Sequence, residues 1–405
     1  MNIIRNTAWI GVVLSALLLG ACTDAKPDVV ATESPKQTST PSPSDTPMPT
    51  PTPEPVVREA KLVAVGDIMV HSPQLPAYYD RTSNRYSFDP WFEQVKPVLQ
   101  AGDWVFGNLE TPLAGQDLKY SGYPRFNAPS ELAEALVNAG FQIVSTANNH
   151  TMDRGFPGVE RTLHNVRSAG LVPVGTAVDA LDATRITIEE RNGIHMGFLA
   201  YTYGTNGIPV PKDKPFAVNL IDAEVIRSDI ASLKNAGADV IAVSLHFGQE
   251  YQRKPNEHQT KLARELIGAG ADIILGSHPH VIQPYERVSV PASESVDGIA
   301  HEGIVVYSMG NFISNQTGDW KDVGLIFGVN VKKTEQPDGS VSIELGDIEA
   351  TPTWVHIKTV NKLRHYTIVP MERALSSRDV PGLTAQDYKT MEQLLASMNK
   401  HLQQS

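Results

Sequence analysis

Four helix-like stretches of this chain stop in the same way, and that repeated stop constrains the fold more than any other feature. Ser130–Ala139, Val159–Ala169, Asp222–Ala236 and Glu257–Ala269 carry apolar residues at helical spacing, and each ends at an Ala-Gly pair, whose glycines are Gly140, Gly170, Gly237 and Gly270. A glycine just past a helix closes it by taking the left-handed conformation that other residues resist, and a strand commonly follows. Short apolar runs lie before, between and after these helices: Lys61–Ile68, Phe141–Ala147, His195–Tyr203, Val240–Phe247, Asp272–Gly276 and Ile304–Met309. Their length and Val/Ile content predict buried strands. Strands alternating with helices specify an α/β architecture, whose functional groups collect just beyond the C-terminal ends of the strands.

After Gly324 the pattern changes. Leu325–Lys333, Val341–Leu345, Val355–Val360 and Tyr366–Val369 read as strands with few helices between them, and a terminal helix begins at Ala385. This predicts an antiparallel segment completing a second sheet.

The polar clusters fall at the predicted strand ends. They are Gly66-Asp67 with His71, Asn108-Leu109-Glu110, Asn148-Asn149-His150 with Asp153, His246-Phe247-Gly248-Gln249-Glu250, and His278-Pro279-His280. Oxygen and imidazole donors recurring after successive buried strands are what a metal site in an α/β sheet requires. Cys22 is the only cysteine, so an intramolecular disulfide or a multi-cysteine zinc or iron–sulfur site is excluded, and a metal has to use His, Asp, Glu and Asn. The set exceeds what one ion needs and suits two ions sharing a carboxylate, with Mn, Zn, Fe and Mg all compatible. His278 and His280 are two apart, which projects both to one side if the chain leaves its strand extended. The net charge of −11, from 34 basic and 45 acidic residues, supplies no global field for nucleic acid.

The N-terminus reads as an address. Met1–Arg5 is basic and Thr7–Gly20 is apolar, about 14 residues, shorter than the roughly 20 of a membrane-spanning helix. Residues 1–21 are expected to be an export signal, with Leu19-Gly20-Ala21-Cys22 resembling the lipobox of bacterial lipoproteins, in which lipid joins the cysteine sulfur. Residues 22–58 are rich in Pro, Thr and Ser and predict an extended tether of about 3 Å per residue. The folded domain is then expected over 59–375, with a helical extension over 376–405. The expected location is extracytoplasmic, as a cell-membrane lipoprotein.

The ordered succession GD, NLE, NNHxxD, HxGxE, HPH and GNF, the last at Gly310-Asn311-Phe312, resembles the CapA/PgsA family of capsule-synthesis proteins linked to poly-γ-glutamate. The resemblance runs from about Lys61 to Val369. It implies a metallophosphatase-like, four-layer α/β/β/α sandwich of two mixed sheets. It also implies Asp67, Glu110, Asn149, His246, His278 and His280 as metal ligands, with Glu110 bridging, and His150 beside the metals as proton donor or oxyanion partner. Asp153 either orients His150 or caps the following helix. Asn108, Arg125, Glu250 and Asn311 are taken as substrate-facing, and Arg253 as a further anion contact. Metallophosphatases generally carry Asp-x-His at the first strand, whereas Asp67-Ile68-Met69 lacks that histidine, leaving His71 as a substitute from the loop.

Three functions follow from these residues. The first is a metal-dependent hydrolase, phosphoesterase-type or acting on γ-glutamyl polymer, in capsule synthesis or export. The second is a non-catalytic scaffold that holds the acidic polymer near membrane-embedded polyglutamate synthase subunits, and the third an exported phosphodiesterase unrelated to capsule.

Overall fold

The computed structural model describes residues 54–402, so the expected signal peptide, Cys22 and most of the tether lie outside the described residues. Strand β1 (Val56–Ile68) begins inside the stretch read as tether, because its backbone pairs antiparallel with a later strand from Val56 onward. A small hairpin, β2 (Tyr79–Asp80) and β3 (Arg85–Tyr86), and helix α1 (Lys96–Leu99) lead to β4 (Trp104–Leu109). Helix α2 (Glu131–Ala139) then precedes β5 (Ile143–Ser145), and α3 (Gly155–Ala169) precedes β6 (Val172–Val174).

After α4 (Ala180–Ala183) the chain builds a second sheet from β7 (Ile188–Arg191), β8 (Ile194–Thr202), α5 (Ala223–Asn235), β9 (Val240–His246), α6 (Glu257–Gly268), β10 (Ile273–Ser277), β11 (Ile282–Val290) and β12 (His301–Met309). It returns to the first sheet with β13 (Asn311–Ile313), β14 (Val323–Glu335), β15 (Val341–Val360) and β16 (Leu363–Pro370), and ends in α7 (Met371–Ser377) and α8 (Ala385–Leu402).

Both sheets are mixed. The first runs β16-β15-β14-β1-β4-β5-β6 with β13 beside β1, and the second β11-β12-β10-β9-β8-β7. Within them β1, β4, β5 and β6 are parallel, as are β8, β9, β10 and β12. The segment after Gly324 therefore extends the first sheet instead of completing a second. The reason is the alternation in β14: Val323, Leu325, Phe327, Val329 and Val331 all enter the core between the sheets, which places the strand against β1. The two stretches Val341–Leu345 and Val355–Val360 belong to one strand, β15, because a bulge on β15 opposite Asn330 lets pairing continue through Gly346–Pro352.

Three apolar interfaces make the expected four layers. Leu62, Ala64 and Phe106 of the first sheet meet Phe198, Ala242 and Leu275 of the second, with the Phe106 and Phe198 rings stacked 6.2 Å apart. Leu132 and Leu136 of α2 cover the outer face of the first sheet, and Ile226, Ile230, Leu262 and Leu266 of α5 and α6 cover that of the second. Helix α8 adds Tyr388, Met391 and Met398 to the inter-sheet core. The four Ala-Gly stops end their helices as the sequence predicts, with Gly140, Gly170, Gly237 and Gly270 all at positive φ. Among the described residues no helix is long and apolar enough to cross a membrane.

Candidate metal centre

The parallel strands of both sheets deliver their C-terminal ends to one place. Sheet one brings Asp67 from β1, Asn108 from β4, Glu110 just past it, and Asn149 and His150 from the loop after β5. Sheet two brings His246 as the last residue of β9, and His278 and His280 beyond β10. Asp67 sits where it does because its neighbour is glycine: a Cβ on Gly66 would lie 2.1 Å from the Gly310 carbonyl oxygen, the same oxygen that accepts the Asp67 N–H at 2.9 Å. His278 and His280 converge by a different route from the extended one read in the sequence. Strand β10 stops at Ser277, and both histidines take positive φ, 99° and 57°, which folds the tripeptide back and leaves their rings 5.9 Å apart.

A hydrogen-bonded mesh fixes these groups. Asn108 Nδ2 donates to Asp67 Oδ1 at 2.8 Å, and His280 Nδ1 lies 3.0 Å from Asp67 Oδ2 and 3.1 Å from Asn311 Oδ1. His246 Nε2 is 3.1 Å from Asn149 Oδ1, while its Nδ1 is 3.0 Å from Ser277 Oγ and 3.3 Å from Asn108 Nδ2. His150 Nδ1 meets Asp153 Oδ2 at 2.8 Å, and the same oxygen accepts the Phe126 N–H at 2.6 Å. A carboxylate only accepts, so the His150 proton sits on Nδ1 and Nε2 is the free nitrogen.

The donor set fits a divalent metal. Two groups, Asp67 with Glu110 and His246, and Glu110 with His278 and His280, each bring one ligand atom per residue within 4.8 Å of one another. Glu110 is common to both, as a carboxylate shared between two ions would be. Its Oε1 is buried without a hydrogen-bond partner and lies 3.6 Å from His246 Nε2 and 3.8 Å from His280 Nε2; His278 Nδ1 is also unpartnered. Unsatisfied polar atoms of this kind are costly in a folded interior unless something else satisfies them.

The electrostatics agree. Burial, joined by the Asp67 charge, holds the Glu110 carboxyl well above the usual range. Burial also works to raise Asp67, but the hydrogen bond and charge of His280 overcome it and keep Asp67 low. Burial and the neighbouring imidazoles hold His246 well below its ordinary value and His278 at about 3, so both stand in the neutral form that ligates a metal.

The remaining sequence-predicted residues divide. Asn108 and Asn311 are fully buried and bond the donor side chains, and Asn311 Nδ2 also donates to the Lys321 carbonyl at 2.7 Å. Their side chains meet the candidate metal donors and backbone, not open surface. His71 bonds Ser314 Oγ through Nε2 at 3.2 Å and meets the Phe126 ring edge-on, outside both donor groups; burial, with the charges of His280 and His150, lowers it to about 4. Glu250 and Arg125 are exposed, and Arg125 contributes its carbonyl, which accepts from Ser121 Oγ and Arg154 Nη2. Asp153 bonds His150 and does not cap α3, whose N-cap is Arg154.

Sequence reasoning assigned no role to three residues here. Asn148 ties its loop to β4 through the Leu109 carbonyl at 2.8 Å, and Ser277 orients His246. Tyr203, 48% exposed, packs its ring 4.7 Å from His278 and nearly parallel to His246. Its position directly after β8, like that of the other strand-end residues, is the signal that could have found it.

Residues 61–316 match the family described as "Bacterial capsule synthesis protein PGA_cap". The chain is 32% identical over 263 residues to "Capsule biosynthesis protein CapA" of Bacillus anthracis, covering 63% of this chain and 60% of that one. It is also 32% identical over 256 residues to "PGA biosynthesis protein CapA" of Bacillus subtilis (strain 168), covering 62% of each. The chain thus spans about 60% of the length of these curated relatives. Among solved structures it is similar to the calcineurin-like phosphoesterase YfkN of Bacillus subtilis, with TM-score 0.41 and 18% identity, over 73% of this chain and 91% of that one.

Proposed function

This chain belongs to the bacterial capsule synthesis protein family, and from that premise we propose that it acts in the production or export of poly-γ-glutamate through a metal-dependent hydrolytic site. It works outside the cytoplasm, held to the membrane by lipid on Cys22, beside membrane-embedded synthase subunits. The relatives' names support the polymer, and the lipobox-like Leu19-Gly20-Ala21-Cys22 supports the anchor. One observation carries the hydrolytic reading: a buried donor set organised around the unpartnered Glu110 oxygen, with a carboxylate-oriented histidine, His150, next to Asn149 in the loop after β5.

Asp67, Glu110, Asn149, His246, His278 and His280 would hold one or two ions of Mn, Zn, Fe or Mg. Such ions supply Lewis acidity at the scissile bond. The protein's own part is positioning and proton transfer. Asp153 fixes the His150 tautomer, so His150 Nε2 is free to take up the proton lost by the attacking water and pass it to the departing oxygen or nitrogen. Phe126 packs its ring edge-on to His150 at 4.5 Å and limits the imidazole to that orientation. Asn108 and Asn311 hold Asp67 and His280 so that neither must reorganise during the reaction.

The test is turnover of a simple aryl phosphodiester and of γ-linked glutamate polymer by the purified protein and by His150→Ala, together with the polymer yield of a strain lacking the chain. Turnover that His150→Ala lowers at least 100-fold, with loss of polymer in the strain, supports the proposal. A metal-loaded, folded protein that turns over neither substrate assigns a scaffold role. Phosphodiester turnover with unchanged polymer assigns a phosphodiesterase unrelated to capsule.

A further inference from the structure

Beside His280 the surface changes character. The loop Tyr251–Lys254 and Asp319 line a cavity of about 460 Å³. The Tyr251 ring centroid is 6.1 Å from that of His280, and its N–H donates to the Pro279 carbonyl at 2.7 Å, so the cavity adjoins the metal donors directly.

This loop is built to stay still. Gln283, fully buried, donates through Nε2 to the carbonyls of Gln252 at 2.8 Å and Lys254 at 3.1 Å, and its own oxygen accepts from the equally buried Gln259 at 2.8 Å. Tyr251 takes φ 66°, uncommon for a bulky residue. Lys321 Nζ lies 5.4 Å from the Tyr251 ring centroid, and the Lys321 carbonyl is held by Asn311, the residue that also bonds His280. Arg253 lies over the Trp320 ring at 3.9 Å and pairs with Asp319. The acidic groups here are Asp319, spent on Arg253, and the exposed Glu250. Lys254 and Lys321 are the cations without such a partner among these groups.

We infer that Tyr251, Lys254 and Lys321 form an anion subsite, which takes a negatively charged group of the substrate next to the bond addressed by the metal donors. The inference rests on the hydrolytic reading above and gives it a substrate class: a chain bearing an anion beside the scissile bond, carboxylate or phosphoryl. A loop whose backbone is already held has less freedom to lose on binding, and the buried glutamine pair holds the carbonyls of Gln252 and Lys254 in this way.

The experiment is equilibrium binding of a γ-linked glutamate decamer and of phenyl phosphate to the purified protein, with and without added Mn, for wild type and for Lys254→Gln/Lys321→Gln. The double variant is expected to bind about tenfold more weakly, with a shallower salt dependence and unchanged metal content. Loss for the decamer identifies a carboxylate ligand, and loss for phenyl phosphate alone identifies a phosphoryl ligand; both support the subsite. Equal affinities in the two proteins, or no binding of either anion by the wild type, overturns it. If neither protein holds metal, the hydrolytic reading fails while the binding comparison still decides the subsite.

Discussion

Asp153 spends one oxygen on two donors, the Phe126 N–H and His150 Nδ1, and this small economy sets the proton inventory of the site. Asp153→Asn can keep one oxygen on both donors but removes the negative charge that favours a protonated His150. We predict about 100-fold lower turnover with metal content unchanged, measured by steady-state kinetics beside elemental analysis. Glu110→Gln tests the neighbouring idea, that two buried carboxylates coexist because a cation belongs between them. Metal binding should be lost, while the metal-free protein melts about 2 °C or more higher at pH 7, because the amide needs no proton where the buried Glu110 carboxyl has to take one up on folding; a lower melting temperature would contradict this. Asp67, Glu110, His246 and His278 are legible in the sequence because each stands at or just past the C-terminal end of a predicted or actual strand. The jobs of Asn108 and Asn311 are not, since spacing along one strand cannot tell whether an amide meets solvent or the donors of the other sheet.

At the scale of elements, the Ala-Gly stops and the Val/Ile runs are readable because they depend on local backbone preference. Strand β4 escaped the apolar reading: Trp104–Leu109 contains Gly107 and Asn108, although all six of its residues are buried. Strand β15 reads as two because Gly346, Asp347 and Pro352 resemble a turn, whereas Gly346 and Asp347 form a bulge on β15 opposite Asn330 and pairing continues past them. Asp272, at the entrance to β10, offers a prediction of its own. Its carboxylate accepts the Ile241 N–H at 2.7 Å, and burial pushes its carboxyl from 3.8 up to about 6. Between those values the folded state binds more proton than the unfolded one, so stability from this group falls as pH rises through the window. Asp272→Asn should remove that slope and leave the protein about 2 kcal/mol more stable at pH 7 than at present, seen in denaturant melts at pH 4 and 7. An unchanged slope would show that the group titrates alike in both states.

For the whole molecule, the α/β class and four-layer outline follow from alternation and resemblance. The partition of strands between sheets does not, because it depends on β12 handing the chain to β13 beside β1 and on which face of β14 is apolar. The same handover brings the strand ends of two sheets together, so the metal centre is a property of the assembled sandwich and of no single motif. Cys22→Ser should move the protein from the membrane fraction to the soluble one; unchanged partitioning would point to another anchor. The most direct measurement is a metal titration of the purified, chelator-stripped protein with Mn and Zn, comparing wild type with Asp67→Ala and His278→Ala by elemental analysis and thermal melting. The account predicts one or two bound equivalents per chain that raise the wild-type melting temperature and are lost or weakened in both variants. A folded wild type that takes up no more metal than its variants would contradict it.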